Sequence, residues 1–328
     1  MTPLLDVQKL RVDFALPRRK TIRAVHDVSL RVWPGESLGL VGESGSGKST
    51  TGRAILQLIR PTQGAVWFDG QDLAALWQRR WGRWQWSRAL IAVRRDMQMI
   101  FQDPFASLNP RMSVAQLIGE PLVIHKLAHG QALTERIEAL LEQVGLDPSA
   151  MHRMPHAFSG GQRQRIGIAR ALATRPKLII ADEPISALDV SIQAQVLNLL
   201  QQLKAALGLT LIFIAHDLSA VRYLCERVAV LYRGRIVEQA PTAALFANPQ
   251  HPYTQALLAA APTGAPIETL PQAAFASTGA ASTPDANLCP YLNACPRQLP
   301  KCHVQAPKLF VVDLGHNAAC HWVEKLSQ

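Results

Sequence analysis

The stretch Gly42-Glu43-Ser44-Gly45-Ser46-Gly47-Lys48-Ser49 constrains this chain more than any other, because it fills every fixed position of the pattern GxxxxGK[ST]. An apolar run, Ser37 to Val41, precedes it, and a helical pattern, Thr51 to Ile59, follows after Thr50. A strand feeding a glycine turn that opens a helix is the context in which this pattern holds phosphate. The glycines let backbone N–H groups curl around phosphate oxygens, and the helix N-terminus adds a positive dipole end. Lys48 is then placed to reach the β- and γ-phosphates, and the Ser49 hydroxyl to meet Mg²⁺. A bare glycine turn would not require all eight positions. The expected ligand is a nucleoside triphosphate.

A length of 328 residues suggests one large domain or a domain with an appendage, and 48% hydrophobic residues suffice for a substantial core. No uninterrupted apolar run approaches the roughly 18 to 20 residues that a membrane-spanning helix needs. Asp6, Lys9, Arg11 and Asp13 stand where a signal peptide would need its apolar segment. The expectation is a chain kept in the cytoplasm, with any membrane role peripheral. A net charge of +10 permits nucleic acid, anionic lipid or acidic protein partners and selects none. Five cysteines in such a chain argue against a disulfide framework.

Leu4 to Phe14 and Val25 to Val32 read as strands, and Pro34-Gly35 turns into the strand before the phosphate loop. Ala65 to Phe68 is a further short strand ending at the turn Asp69-Gly70, and Val93 to Phe101 ends as a strand. From Ser113 to Gly145 apolar residues recur at helical spacing: Val114, Leu117, Ile118, then Ile137, Leu140, Leu141 and Val144. Leu178 to Ala181 and Thr210 to Ala215 are near-continuous apolar runs, suited to strands buried on both faces of a parallel sheet. The pattern predicts an α/β core, mostly parallel, over about residues 1–240, with an inserted helical lobe at about 104–175. Beyond it, 241–328 reads as an extension. Its Pro262 to Asn287 portion, rich in Ala, Pro, Thr and Ser, reads as a linker.

Leu178-Ile179-Ile180-Ala181-Asp182-Glu183 is an apolar strand ending in two carboxylates. Triphosphate hydrolysis needs an anion to hold the metal and a base or orienting group for water. Asp182 suits the first role and Glu183, just beyond the strand, the second. Ser159-Gly160-Gly161-Gln162, leading into Ile166 to Leu172, is another glycine turn at a helix start, able to grip a second face of the phosphates.

The phosphate loop, Gln102, Ser159–Gln162, Asp182-Glu183, Ser186-Ala187-Leu188-Asp189 and His216 occur in the order of an ABC-type ATPase, which the chain resembles over about residues 4–240. More narrowly, Met97 to Pro104, Ser107 to Arg111, Ser186 to Leu199 and Asn248-Pro249-Gln250-His251-Pro252-Tyr253-Thr254 resemble the ATP-binding subunits of oligopeptide and dipeptide (peptide/nickel) importers. That resemblance implies an antiparallel β subdomain beside the parallel core. It implies that Ser49, Gln102 and Asp182 surround Mg²⁺, that Glu183 is the general base, and that His216 contacts the γ-phosphate. Phe14 resembles the aromatic that stacks on adenine, although a strand phenylalanine is ordinarily core. Asp189 joins the nucleotide-binding set on the same ground.

The resemblance further implies that Ser159–Gln162 complete the site of another chain, two ATPase domains packing head to tail around ATP. The implied partners are a second ABC ATPase subunit, expected to be a paralogue, two transmembrane permease subunits and an extracytoplasmic solute-binding protein, with no nucleic acid. The implied location is peripheral, on the cytoplasmic face of the inner membrane. The alternative is a soluble ABC ATPase working on nucleic acid or ribosomes. Such proteins typically carry two cassettes or a long coiled coil, and neither is visible here. A catalytically dead regulator is disfavoured by the presence of Lys48, Gln102, Glu183 and His216.

Cys289, Cys295, Cys302 and Cys320 are separated by five, six and seventeen residues, wider than the Cys-x-x-Cys pairs of common zinc modules. Four thiolates suit Zn²⁺ or an iron–sulfur cluster equally in number, and unliganded thiols remain a third reading. Resemblance to the peptide importers favours a [4Fe–4S] cluster, with His303, His316 and His321 as substitutes or supporting groups. Cys225, in the helical stretch Val221 to Arg227, reads as core. Trp77, Trp81 and Trp84 fall at i, i+4 and i+7 among Arg79, Arg80, Arg83 and Arg88, which predicts a helix. Its aromatic stripe packs on its own domain, meets lipid headgroups or permease subunits, or, with nothing else in the sequence to support it, stacks on nucleic-acid bases.

Overall fold

Strand β1 (Leu5–Ala15) begins the chain by pairing antiparallel with both β2 (Thr21–Val32) and β4 (Gln63–Phe68). The computed structural model of the chain describes residues 2–15, 21–80, 83–260 and 287–326. Between β2 and β4 lie β3 (Ser37–Val41) and α1 (Lys48–Ile55), and β5 (Gln71–Asp72) completes a sheet in the order β2-β1-β4-β5. Valines and leucines alternate along β1 and β2, so one face of this sheet is apolar and packs inward.

A hairpin, β6 (Trp77–Arg80) and β7 (Arg83–Trp86), and helix α2 (Arg88–Arg94) lead into β8 (Met97–Ile100). Among the described residues, therefore, Trp77 and Trp84 stand on strands rather than on the helix expected from the tryptophan spacing. Aromatic residues favour extended backbone, and Trp77 pairs across the hairpin with Trp86, their rings meeting edge-on at 6.5 Å. Trp77 Nε1–H donates to Gln57 Oε1 at 2.7 Å. The guanidinium groups of Arg60 and Arg94 lie 3.7 and 3.8 Å from the ring centres of Trp84 and Trp86. These tryptophans are thus tied to their own domain. Trp81 lies outside the described residues, as does the linker expected at 262–287 apart from Asn287.

Four α-helices separate β8 from the next strand: α3 (Pro104–Ser107), α4 (Val114–Ile124), α5 (Gly130–Gln143) and α6 (Gly160–Leu172). The chain then runs β9 (Leu178–Asp182), α7 (Val190–Leu207), β10 (Thr210–Ala215), α8 (Leu218–Leu224), β11 (Arg227–Tyr232) and β12 (Arg235–Pro241). It continues through α9 (Thr242–Ala247) and α10 (Pro252–Ala259), then β13 (Phe310–Asp313), β14 (His316–Ala318) and α11 (His321–Leu326). Cys225 stands just past the end of α8 and is buried.

The larger sheet has the order β13-β14-β12-β11-β3-β10-β9-β8 among the described residues, with β11, β3, β10, β9 and β8 parallel. Its strands feed two cores. Leu178, Ile180, Ile212 and Ile214 join the core beneath the antiparallel sheet, while Ile179, Ala181, Leu211 and Phe213 join the core shared with α4 to α7. Burial on both faces explains why these strands read as unbroken apolar runs. The C-terminal segment joins the same sheet, because β14 pairs with β12 at Glu238 and Gln239. Among the described residues no helix is long and apolar enough to cross a membrane.

Candidate active site

The phosphate loop leaves the fully buried β3 through Gly42, at φ 150°. A Cβ there would stand 2.1 Å from the Leu231 carbonyl oxygen, and one on Gly47, at φ 99°, 2.4 Å from that of Ala24. Only glycine fits either place. The loop is braced from outside. Gly234 N–H donates to the Ser46 carbonyl at 2.7 Å, and Glu43 N–H to the Tyr253 hydroxyl at 2.9 Å. Lys48 Nζ donates to the carbonyls of Gly42 and Glu43, each at 2.8 Å, and burial pulls its pKa below the ordinary lysine value. The two carbonyls hold the ammonium at the loop, and the nearby Glu183 and Asp182 carboxylates favour its charged form, opposing the effect of burial.

Strand β9 delivers the two carboxylates. Asp182 Oδ1 accepts from the Ser49 hydroxyl at 2.7 Å, whereas its buried Oδ2 has no hydrogen-bond partner and stands 3.8 Å from the Arg53 guanidinium. Burial raises the Asp182 pKa. A desolvated carboxylate with an orphaned oxygen beside a hydroxyl is an oxygen donor set that fits Mg²⁺. Glu183 takes the left-handed conformation, φ 45°, with its N–H bonded to the Ile214 carbonyl at 2.9 Å. That turn directs its carboxylate to Gln102, whose Nε2 donates to Oε2 at 2.9 Å, and to His216, whose Nδ1 is 3.4 Å from the same oxygen.

Ser44, Gly45, Gly47, Lys48, Ser49 and Thr50 line one cavity of about 460 Å³ together with Gln102, Glu183, His216 and Ala24. The fold therefore gathers most of the phosphate loop, Gln102 and the candidate base around one cavity, with Asp182 joined to it through the Ser49 hydroxyl rather than lining it. The Ser159–Gln162 turn does not line this cavity. Ser159 instead caps α6, its Oγ accepting from Gln162 N–H at 3.3 Å while Gln162 Oε1 accepts from Ser159 N–H at 3.0 Å. Asp189 is exposed at the start of α7, and Phe14 is 39% exposed near the end of β1 rather than in the core. Sequence reasoning missed Ala24, Arg53 and Tyr253. Arg53 lies in the helical pattern Thr51 to Ile59, and Tyr253 in the segment that resembles the peptide importers; Ala24 lies in neither.

Cys289, Cys295, Cys302 and Cys320 are free thiols near enough to perturb one another. Burial pushes Cys289 up to about 11, and the other three add to the rise. Among the described residues no group of three or more His, Cys, Asp or Glu is arranged to hold a metal ion. The expected iron–sulfur or zinc site has no ligand geometry here. His316 is committed elsewhere, its Nε2 lying 2.7 Å from Glu238 Oε1, and His321 Nε2 lies 2.9 Å from the Gln305 carbonyl.

A phosphate loop, a strand-end Asp-Glu pair and a glutamine-histidine couple around one cavity define an ATPase of the phosphate-loop class. Comparison with known proteins narrows it. The family described as ABC transporter matches residues 25–186, and the C-terminal region of oligopeptide/dipeptide transporters matches 237–302. The oligopeptide transport ATP-binding protein OppF of Bacillus subtilis is 55% identical over 79% of this chain and 82% of its own length. AppF of the same organism, also an oligopeptide transport ATP-binding protein, is 45% identical over 97% of this chain and 96% of its own. A dimeric ATP-binding cassette solved in a post-hydrolysis state with ADP and Pi superposes with a TM-score of 0.64 at 28% identity, covering 73% of this chain and 98% of that one. The chain belongs to the family of ATP-binding subunits of oligopeptide and dipeptide ABC transporters, and it is an ATP-hydrolysing enzyme.

Proposed function

We propose that this chain is the motor subunit of a membrane importer for di- and oligopeptides or similar small solutes. In this reading residues 1–240 form the ATPase unit, the helices at about 104–175 its lobe, and 241–328 an extension. It works with a second ATPase chain, two transmembrane permease subunits and an extracytoplasmic solute-binding protein, peripherally at the cytoplasmic face of the inner membrane. The carrying observation is Glu183 joined to Gln102 and His216 at the cavity that holds Lys48 and Ser49, with Ser159–Gln162 left out of that cavity.

ATP would lie with its β- and γ-phosphates against the loop amides and Lys48, where loop carbonyls now occupy the ammonium. Ser49, Asp182 and Gln102 would hold Mg²⁺, which supplies charge neutralisation at the β- and γ-oxygens. Glu183 accepts the proton of the attacking water, and its hydrogen bond from Gln102 and proximity to His216 fix the carboxylate's aim. The turn Ser159–Gln162 presents helix N–H groups to the nucleotide of the second chain, an arrangement supported by its not lining the cavity of its own chain. Closure on ATP and opening after hydrolysis then bias the permease between two states. The finer cofactor reading, an iron–sulfur cluster or zinc on the four C-terminal cysteines, is supported by the resemblance and by thiol proximity alone. Iron and zinc content with visible absorption of the purified complex tests it. The function itself is tested in the reconstituted complex: peptide with its binding protein should raise ATP turnover and carry peptide into vesicles. Absence of both, with ribosome or nucleic-acid stimulation instead, would replace the importer reading.

A further inference from the structure

The phosphate loop works only if its amides point at phosphate, so every loop amide that points elsewhere must be held by something else. Glu43 N–H is such a group, and its partner is the Tyr253 hydroxyl, 210 residues away in the chain. Tyr253 belongs to Asn248–Thr254 and is 2% exposed. Its ring packs against Tyr232 at 4.4 Å and Tyr291 at 5.6 Å between ring centres. Its backbone is equally fixed. Tyr253 N–H donates to His251 Nδ1 at 3.0 Å, and the buried Glu238 accepts from the N–H groups of Gln250 and His251 at 2.7 and 2.8 Å. Tyr232 ends β11, and the turn after it supplies the Gly234 N–H that holds Ser46.

From this geometry we propose that Tyr253 is a positioning residue of the nucleotide site. Its hydroxyl anchors the first amide after Gly42, so that the loop meets triphosphate already shaped. Tyr291, two residues after Cys289, closes the aromatic cluster from behind, which makes the C-terminal extension part of the loop's support. The proposal rests on the phosphate-loop reading of the site. Removing the hydroxyl leaves Glu43 N–H unbonded, and ATP must then order the loop as it binds.

The experiment compares the full-length wild-type chain with Tyr253→Phe, which keeps the ring, and with Thr254→Val as a neighbouring control. MgATP affinity is measured by titration and the Glu43 amide by hydrogen exchange, with the nucleotide-free melting temperature of each chain alongside. For Tyr253→Phe the expected result is about three- to tenfold weaker MgATP binding and faster Glu43 exchange. In the assembled complex the loss falls on KM for ATP rather than on kcat. Thr254→Val should match wild type in affinity and exchange. Unchanged affinity and exchange in Tyr253→Phe would overturn the proposal, as would a lowered melting temperature with unchanged affinity. A wild-type chain that binds no MgATP would overturn the site reading itself, and the Tyr253 role with it.

Discussion

Ser49 and Asp182, 133 residues apart in the chain, meet in a 2.7 Å hydrogen bond beyond the carboxyl ends of two parallel strands. The register produces the meeting. Val41 of β3 lies beside Ala215 of β10, Ile214 beside Asp182 of β9, and Ala181 beside Ile100 of β8. Whatever follows each strand must then emerge on one edge: the phosphate loop, His216, Glu183 and Gln102. Ligands of open parallel sheets bind at that edge for the same reason.

Glu183→Gln should lower ATP turnover of the assembled complex at least about a hundredfold, the usual scale of a lost general base. The amide keeps the side chain's size and can still meet Gln102, so MgATP affinity should stay within about threefold of wild type. Steady-state turnover with equilibrium titration on the same preparations checks both. An equal fall in affinity would mean that Glu183 acts in binding rather than in the chemical step.

Acid should destabilise the nucleotide-free chain between about pH 6.5 and pH 3, through His251. Burial lowers its pKa from 6.5 to about 3, because the ring is almost wholly enclosed. Unfolding therefore takes up a proton throughout that window, stability falls as pH falls through it, and the loss levels off below the folded value. Half-buried His26, lowered to about 4 chiefly by burial, adds in the same direction. His251→Asn can still cap α10 through its side-chain oxygen. Its melting temperature should change less steeply between pH 6.5 and 4 than that of wild type.

Leu178 to Ala181 and Thr210 to Ala215 were legible as strands because both faces of each are buried, in two different cores. Lys48, Ser49, Asp182 and Glu183 were legible as a site because strand, turn and helix order fix where strand ends point. The tryptophans were not, since i, i+4, i+7 spacing cannot tell one helix from two strands that bring Trp77 against Trp86. Nor was the contact of Tyr253 with Glu43, which spans 210 residues of sequence and depends on the buried Glu238 to hold the backbone before Tyr253. The cysteine intervals gave a ligand count, but thiol directions come only from packing.

Trp77→Phe should destabilise the chain by about 1 kcal/mol in denaturant titration, the scale of one hydrogen bond. It removes the indole N–H from Gln57 Oε1, a side chain that is fully buried and bonded on its other side to the Ala54 carbonyl. Trp77→Phe with Gln57→Leu should recover part of the loss, because both polar partners then leave together.

Ser159 offers a way to separate a helix cap from a catalytic contact. In its own chain its Oγ caps α6 as one half of a reciprocal pair with Gln162. Aspartate caps helix N-termini about as well as serine, so Ser159→Asp should melt within a few degrees of wild type. If the turn faces the phosphates bound by a second chain, the added carboxylate repels them, and ATP turnover of the assembled complex should fall at least about a hundredfold. MgATP binding to the isolated Ser159→Asp chain should not change, because Ser159 does not line that chain's own cavity. A variant with full turnover would mean that Ser159 never approaches nucleotide. Weakened binding in the isolated chain would place the turn at its own phosphates and remove the need for a second chain.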